Sequence, residues 1–276
     1  MTTVHVTDRA GCTMRLVDVD GRKFPDFPVE NLTSYQSVPL REDDVILCAY
    51  PKSGTHWLWE VCMMLLRGVS DTIPFKKSLQ MLEFNSADKM AEYESPRVLN
   101  THVLYDRLPS DAYKLKTKLV LVLRNPKDVA VSFYNHHMKL EKYYQYKGKF
   151  SDWLQLFLEG QVDYGSWFDY VRSWEKVINS DVKNPIHDPV RETRRLAEFL
   201  GVTPDPELVK SVAAKCDFSR MANDKKEYHD HQLVMFRKGI VGDWKNQFTV
   251  AEDEVFNATY AEKMKGSKLQ FRFTLR

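Results

Sequence analysis

Three short segments place lysine or arginine among glycine and hydroxyl residues just where an apolar run stops. The first is CAYPKSGTHW, residues 48–57. An apolar run enters Pro51-Lys52-Ser53-Gly54-Thr55 and a second one leaves it, so strand, turn and helix are expected in that order. The unpaired backbone N–H groups at such a helix start gather around an anion. Gly54 permits a tight turn, Lys52 brings a full charge, and Ser53 and Thr55 bring hydroxyl donors. The lysine precedes the glycine here, whereas the common triphosphate loop sets its lysine after the last glycine. The plainer alternative is a capped helix after a turn.

The second segment, LVLVLRNPKDVAVS (119–132), repeats the strand–turn–helix pattern, with Arg124 at the strand end and Ser132 two helical turns on. A helical rise of about 1.5 Å per residue keeps both near the strand tip, within reach of one phosphate. The alternative is an arginine paired with Asp128. The third segment, FRKGIVGDWK (236–245), sets Arg237 and Lys238 before Gly239. Taken alone it is a solvated basic turn; taken with the other two it suggests a ligand with phosphates at more than one place.

Elements that could carry these segments are legible in the apolar pattern. DDVILCAY (43–50), PRVLNTH (96–102) and TKLVLVLRN (117–125) are short apolar runs without alternation, as expected of strands covered on both faces. THWLWEVCMMLLRG (55–68) is apolar nearly all round and ends at glycine, a buried helix with a C-terminal stop. PKDVAVSFYNHHMKL (126–140) starts a helix with proline followed by an acid in the first turn. Further helices are expected in FSDWLQLFLEG, YGSWFDYVRSWEKVI, PVRETRRLAEFLG, DPELVKSVAAKC and AEDEVFNATYAEKMKG. Strands alternating with helices predict an α/β domain with a parallel sheet, spanning residues 1–276 without a dividing linker. Residues 1–40 show no clear period and are expected to form an arm over that domain.

The 276 residues, 43% of them hydrophobic, suffice for a substantial core. A formal net charge of +2 is too small for a nucleic-acid coat or a polybasic membrane anchor, so an anion site must be a local cluster. The four cysteines, Cys12, Cys48, Cys62 and Cys216, include no C-x-x-C pair and are expected as free thiols. The N-terminus has no signal-like apolar core and the longest apolar stretch is interrupted by Glu60. A soluble cytoplasmic protein is expected, without a membrane partner, and the sequons at Asn31 and Asn257 then carry no weight.

Taken together, the three basic segments make the sequence resemble the cytosolic sulfotransferases over nearly its whole length. YPKSGTHW resembles that family's 5′-phosphosulfate loop, RNPKDVAVSFY its 3′-phosphate-binding strand and helix, and RKGIVGDWKNQF its C-terminal 3′-phosphate motif. The resemblance implies a P-loop NTPase-like sulfotransferase fold that takes 3′-phosphoadenosine 5′-phosphosulfate (PAPS) as co-substrate and needs no metal. Cations and N–H groups suit sulfuryl transfer, because that group carries less charge than a phosphoryl group. By resemblance Lys52 touches the 5′-phosphate and the leaving oxygen, with Ser53, Gly54 and Thr55 beside it, and Trp57 stacks on adenine. Trp57 as a core aromatic remains the alternative. The same resemblance implies that Arg124, Ser132, Arg237, Lys238 and Gly239 hold the 3′-phosphate and that Phe218 matches an aromatic near the adenine.

An acceptor hydroxyl must lose a proton as it attacks sulfur, and histidine is the usual base near neutral pH. Of the eight histidines, His102 ends a predicted strand, where ligands of parallel sheets collect. LNTHVLYDRLP resembles the family segment bearing the catalytic histidine, so the implied catalytic set is His102, Lys52 and Ser132. Asn100 stands where many relatives have a lysine, and Cys216 where threonine or serine is common; both put some binding energy in question. His136 and His137 adjoin on a helix and cannot share a face, and neither is assigned a role. His229 and His231 lack a third ligand group, so no metal site is expected; His56 receives no role either. KNQFTVAEDE resembles the family's dimer motif through Lys245, Thr249, Val250 and Glu254, implying a homodimer.

One segment departs from the family. DVKNP passes directly to IHDPVRE, so about one strand with its turn is missing at Pro185-Ile186. Losing a central parallel strand leaves backbone groups unpaired and flanking helices uncovered. The implied protein is a shortened sulfotransferase acting on a small apolar acceptor such as a phenol or sterol. The alternative is a nucleotide-binding protein of the same fold with impaired catalysis; a P-loop kinase is disfavoured by the lysine's position and the lack of an acidic metal partner. Acceptor walls are expected around Phe24, Phe75, Phe84 and residues 143–146.

Overall fold

The computed structural model describes residues 2–178, 188–203, 205–217, 220, 221, 224 and 238–274. The central strands are β4 (Val45–Ala49), β5 (Val98–Thr101) and β6 (Lys118–Val122), parallel and in the order β5-β4-β6. In β4, Ile46 and Cys48 face one buried cluster while Val45 and Leu47 face the other. Both faces of the strand are therefore apolar, which is why its sequence shows no alternation. A buried ion pair ties the lower ends of the sheet: Arg97 Nη2 lies 2.5 Å from Asp44 Oδ2 and Nε donates to Oδ1 at 2.8 Å.

Helix α2 (Thr55–Arg67) leaves β4 and packs beneath the sheet with α9 (Pro189–Leu200) and α10 (Pro206–Lys215). It stops at Gly68, whose φ of 64° closes the C-terminus through N–H bonds to Leu65 and Met64 carbonyls. Helix α5 (Pro126–Lys139) leaves β6, capped by the Asn125 side chain accepting from Asp128 N–H, with proline in its first turn. Together with α7 (Phe150–Leu158), α8 (Trp167–Glu175) and a C-terminal helix (Val250–Lys263), α5 covers the upper face. Short turns of helix, α1 (Val29–Ser34), α3 (Ala87–Ala91), α4 (Ser110–Lys114) and α6 (Glu141–Tyr144), lie between. Every helix expected from the apolar pattern is present.

The first forty residues are more ordered than their sequence pattern suggested. β1 (Thr2–Thr7), β2 (Thr13–Val19) and β3 (Arg22–Phe24) form an antiparallel sheet. β1 is an edge strand with little burial, so its alternation carries no hydrophobic signal. The β2–β3 turn is Asp20-Gly21, both at positive φ, a hairpin pair that was present in the sequence. Met14 and Leu16 of β2 join the upper buried cluster.

The suspected junction at Pro185-Ile186 lies outside the described residues. Among the described residues the parallel sheet has three strands. β6 is less covered than its neighbours: Lys118 is exposed and Leu119, Leu121 and Val122 are only partly buried, whereas β4 and β5 are buried throughout.

Candidate functional site

The basic segments converge at the carboxyl ends of β4 and β6, the edge where parallel sheets collect ligands. After β4 the chain turns through Lys52 at φ 67° and Gly54 at φ 112°. A Cβ on Gly54 would meet nothing within 4 Å, so backbone conformation rather than space calls for glycine there. No side chain caps the start of α2. Ser53 is buried, and its Oγ has no hydrogen-bond partner. A buried orphan hydroxyl beside an uncapped helix start and a lysine is what an oxyanion would satisfy.

Arg124 joins this loop to the other basic segment. Its Nη1 donates to the Lys52 carbonyl at 3.0 Å and its Nη2 to the Ile240 carbonyl at 3.3 Å. The pairing with Asp128 weighed from sequence has a different form. Asp128 is fully buried and accepts from the N–H groups of Gly242 and Trp244 at 2.8 and 3.0 Å, and from Asn125 Nδ2 at 2.8 Å. The carboxylate thus fastens the 238–246 turn to the start of α5. In that turn Gly239 has φ 69°, and Lys238 pairs with the buried Asp243 at 2.7 Å. Arg237 and Phe218, expected at the 3′-phosphate and the adenine, lie outside the described residues, as do His229 and His231.

Trp57 is 37% exposed, not a core aromatic, and its Nε1 donates to the Cys216 carbonyl at 2.6 Å. Cys216 therefore serves this edge through its backbone, while its thiol turns into the core against Met64. A poorer side-chain donor at that position costs this contact nothing.

His102 follows β5, next to the loop. Its Nδ1 lies 2.6 Å from the Ala49 carbonyl oxygen. A carbonyl only accepts, so Nδ1 carries the hydrogen and Nε2 keeps its lone pair. The edge of Tyr164 closes on the imidazole, with ring centroids 5.1 Å apart. Burial first, then the charge of Lys77, pushes the His102 pKa down to about 3, with the Ala49 carbonyl pulling the other way.

Four residues here carry no role assigned from sequence. His136 Nδ1 lies 3.5 Å from Lys52 Nζ, and burial and that lysine hold its pKa well below the ordinary range. A neutral imidazole accepts from the ammonium, and His136 stands one turn beyond Ser132 on the same face of α5. The i,i+4 spacing was the available signal. His137 does face away, into a buried network with Asp163 at 2.7 Å and Trp153 Nε1 at 2.8 Å. Lys77 and Glu83 lie buried behind β5; Lys77 Nζ donates to Asn100 Oδ1, and Glu83 Oε1 accepts from His102 N–H. A lysine from another segment thus reaches Asn100, for which the sequence held no local signal.

Comparison with known proteins identifies the family. Residues 42–268 match the family model described as sulfotransferase domain. Sulfotransferase 1E1 of Cavia porcellus is 35% identical, over 88% of this chain and 89% of the relative. Sulfotransferase 1A1 of Mus musculus is 33% identical, over 93% of this chain and 97% of the relative. The crystal structure of mouse sulfotransferase SULT7A1 complexed with PAP superposes with a TM-score of 0.76 at 31% identity, covering 92% of this chain and 96% of that one. A retinol dehydratase crystallised with androsterone and inactive cofactor PAP shares the fold alone, with a TM-score of 0.73 at 18% identity. Agreement over nearly the full length, in sequence and in fold, shows that the chain belongs to the sulfotransferase family.

Proposed function

We propose that the protein transfers a sulfuryl group from PAPS to a hydroxyl or amine of a small, largely apolar acceptor, a phenol or sterol for example. The observation that carries this reading is His102, held by the Ala49 carbonyl with a bare Nε2 beside the Lys52 loop. Nε2 takes the acceptor's proton as its oxygen or nitrogen bonds to sulfur. The bond from sulfur to the 5′-phosphate oxygen breaks, and adenosine 3′,5′-bisphosphate leaves. Lys52, released from His136, meets the charge developing on the leaving oxygen, with the Ser53 hydroxyl and the α2 N–H groups beside it. Ser132, on the same face of α5 as His136, completes the set. Arg124, Lys238 and Gly239, with Arg237, take the 3′-phosphate, and the exposed indole of Trp57 takes the adenine face.

The test is calorimetric binding of adenosine 3′,5′-bisphosphate, followed by PAPS-dependent sulfation of a panel of phenols and sterols by wild type and His102→Ala. Tight binding with turnover in the wild type alone supports the reading; equal turnover in the variant sinks the base assignment.

A second reading, a nucleotide-binding protein with impaired catalysis, is favoured by the half-covered β6. Tight binding without turnover selects it. The cytoplasmic homodimer also belongs to this proposal. Lys245, Thr249, Val250 and Glu254 are all exposed, Val250 at 77%, although Thr249 is engaged locally in a capping box with Glu252. Among the described residues no helix is long and apolar enough to cross a membrane. Sedimentation of wild type and Val250→Glu tests the dimer.

A further inference from the structure

Lys77 and Glu83 are two oppositely charged groups in a place where charge is costly. Lys77 is 4% exposed and Glu83 fully buried. Lys77 Nζ donates to Asn100 Oδ1 at 2.5 Å, and Asn100 Nδ2 donates back to the Lys77 carbonyl at 3.1 Å. The Asn100 carbonyl accepts from Leu82 N–H at 3.0 Å, so the turn bearing Lys77 is clamped along β5. On the same strand end, Glu83 Oε1 accepts from His102 N–H at 2.8 Å, while Glu83 Oε2 has no hydrogen-bond partner. A core side chain of similar volume without charge would fill this space at less cost. An unpartnered buried carboxylate oxygen and a buried ammonium, both beside the strand end that carries His102, point to an electrostatic task.

We propose that Lys77 is a positioning residue for His102: its buried ammonium, clamped to β5 through Asn100, opposes a charge on the imidazole and so keeps the Nε2 lone pair available, while Glu83 holds the His102 backbone N–H. This rests on the reading of His102 as the base. Asn100 lies in β5 and His102 directly follows that strand, so the clamped lysine and the Glu83 carboxylate meet the chain within two residues of the imidazole. The charged and titratable groups facing His102 are Lys77 and Glu83 from this turn, Lys52 after β4, His136 on α5 and the Tyr164 edge. Of these, Lys77 is the strongest charge opposing an imidazolium, second only to burial. Burial lowers Lys77 to about 8 and raises Glu83 to about 7, so the pair changes charge near neutral pH.

The experiment is a pH titration of ¹⁵N-histidine-labelled protein by NMR, with His102→Ala assigning the resonance. Wild-type His102 should show no titration between about pH 5 and about pH 8. Lys77→Met should raise its midpoint by about one unit or more, toward that window. Lys77→Arg, which keeps the charge, should leave it where it was. Adenosine 3′,5′-bisphosphate affinity within about twofold of wild type would show that the variants are folded. A folded Lys77→Met with an unmoved His102 overturns the proposal. Should that variant not fold, Asn100→Asp sets a carboxylate against the lysine and must raise the midpoint as well; a folded Asn100→Asp without the shift overturns it equally. Turnover by His102→Ala would instead sink the base assignment, so the two failures read differently.

Discussion

His102 Nδ1 donates to the carbonyl oxygen of Ala49, the last residue of the neighbouring strand, at 2.6 Å. One backbone oxygen thereby fixes the ring's tautomer and its orientation, because only the protonated nitrogen can face a carbonyl. His102→Ala should lower kcat by about 10²- to 10⁴-fold, the usual range for a positioned base. Affinity for adenosine 3′,5′-bisphosphate, measured by calorimetry, should stay within a few fold.

Arg124 spans from the Lys52 carbonyl to the Ile240 carbonyl. Arg124→Ala removes a charge and the brace between two anion-binding segments together. Nucleotide affinity should fall by about 10- to 100-fold, as for loss of a charge-assisted hydrogen bond of about 1.5–3 kcal/mol. Arg124→Lys should recover only part of it, because an ammonium cannot reproduce the fork. Full recovery would show that the brace contributes nothing.

Asp128 holds the N–H groups of Gly242 and Trp244 and is fully buried. Asp128→Ala leaves both donors without that acceptor, so denaturant unfolding should show a loss of about 2–4 kcal/mol. Nucleotide binding should weaken as well, since the fastened turn carries Lys238 and Gly239. An unchanged midpoint would contradict the fastening role.

Burial raises the Glu83 carboxyl from its ordinary 4.5 to about 7. Between those values the folded chain keeps a proton that the unfolded chain has lost, so stability falls as pH rises through that window. The full loss is about 3 kcal/mol above pH 7 and absent below 4.5. Glu83→Gln has no such group to ionise. Its stability relative to wild type should therefore increase from pH 5 to pH 8, in denaturant melts at each pH. A flat difference would mean that Glu83 does not titrate in this window.

Inserting a family-like strand and turn of about ten residues at Pro185-Ile186 should cover the outer side of β6. Melting temperature and nucleotide affinity should both rise. No gain in either would show that the half-exposed β6 costs the fold nothing.

Much of this protein was written locally. Apolar runs without alternation marked β4, β5 and β6, because residues of each strand pack against both buried clusters. Gly68 and Pro126 marked where helices stop and start. The two loops at strand ends were legible because glycine, hydroxyls and cations must crowd there to receive an anion. Even the Asp20-Gly21 hairpin was available, although the weakly buried β1 hid its partner strand.

The sequence could not say which cation serves which partner. Lys77 stands in a polar stretch like many surface lysines, and only packing placed it under β5 against Asn100. His136 looked unremarkable until the turn after β4 carried Lys52 to it. The Arg124 brace joins residues that are far apart in the chain. Caps, periods and stops are short-range and set by each residue's own backbone preferences. Burial, tautomer and charge pairing belong to neighbours brought together by folding, and the tertiary structure alone decided them.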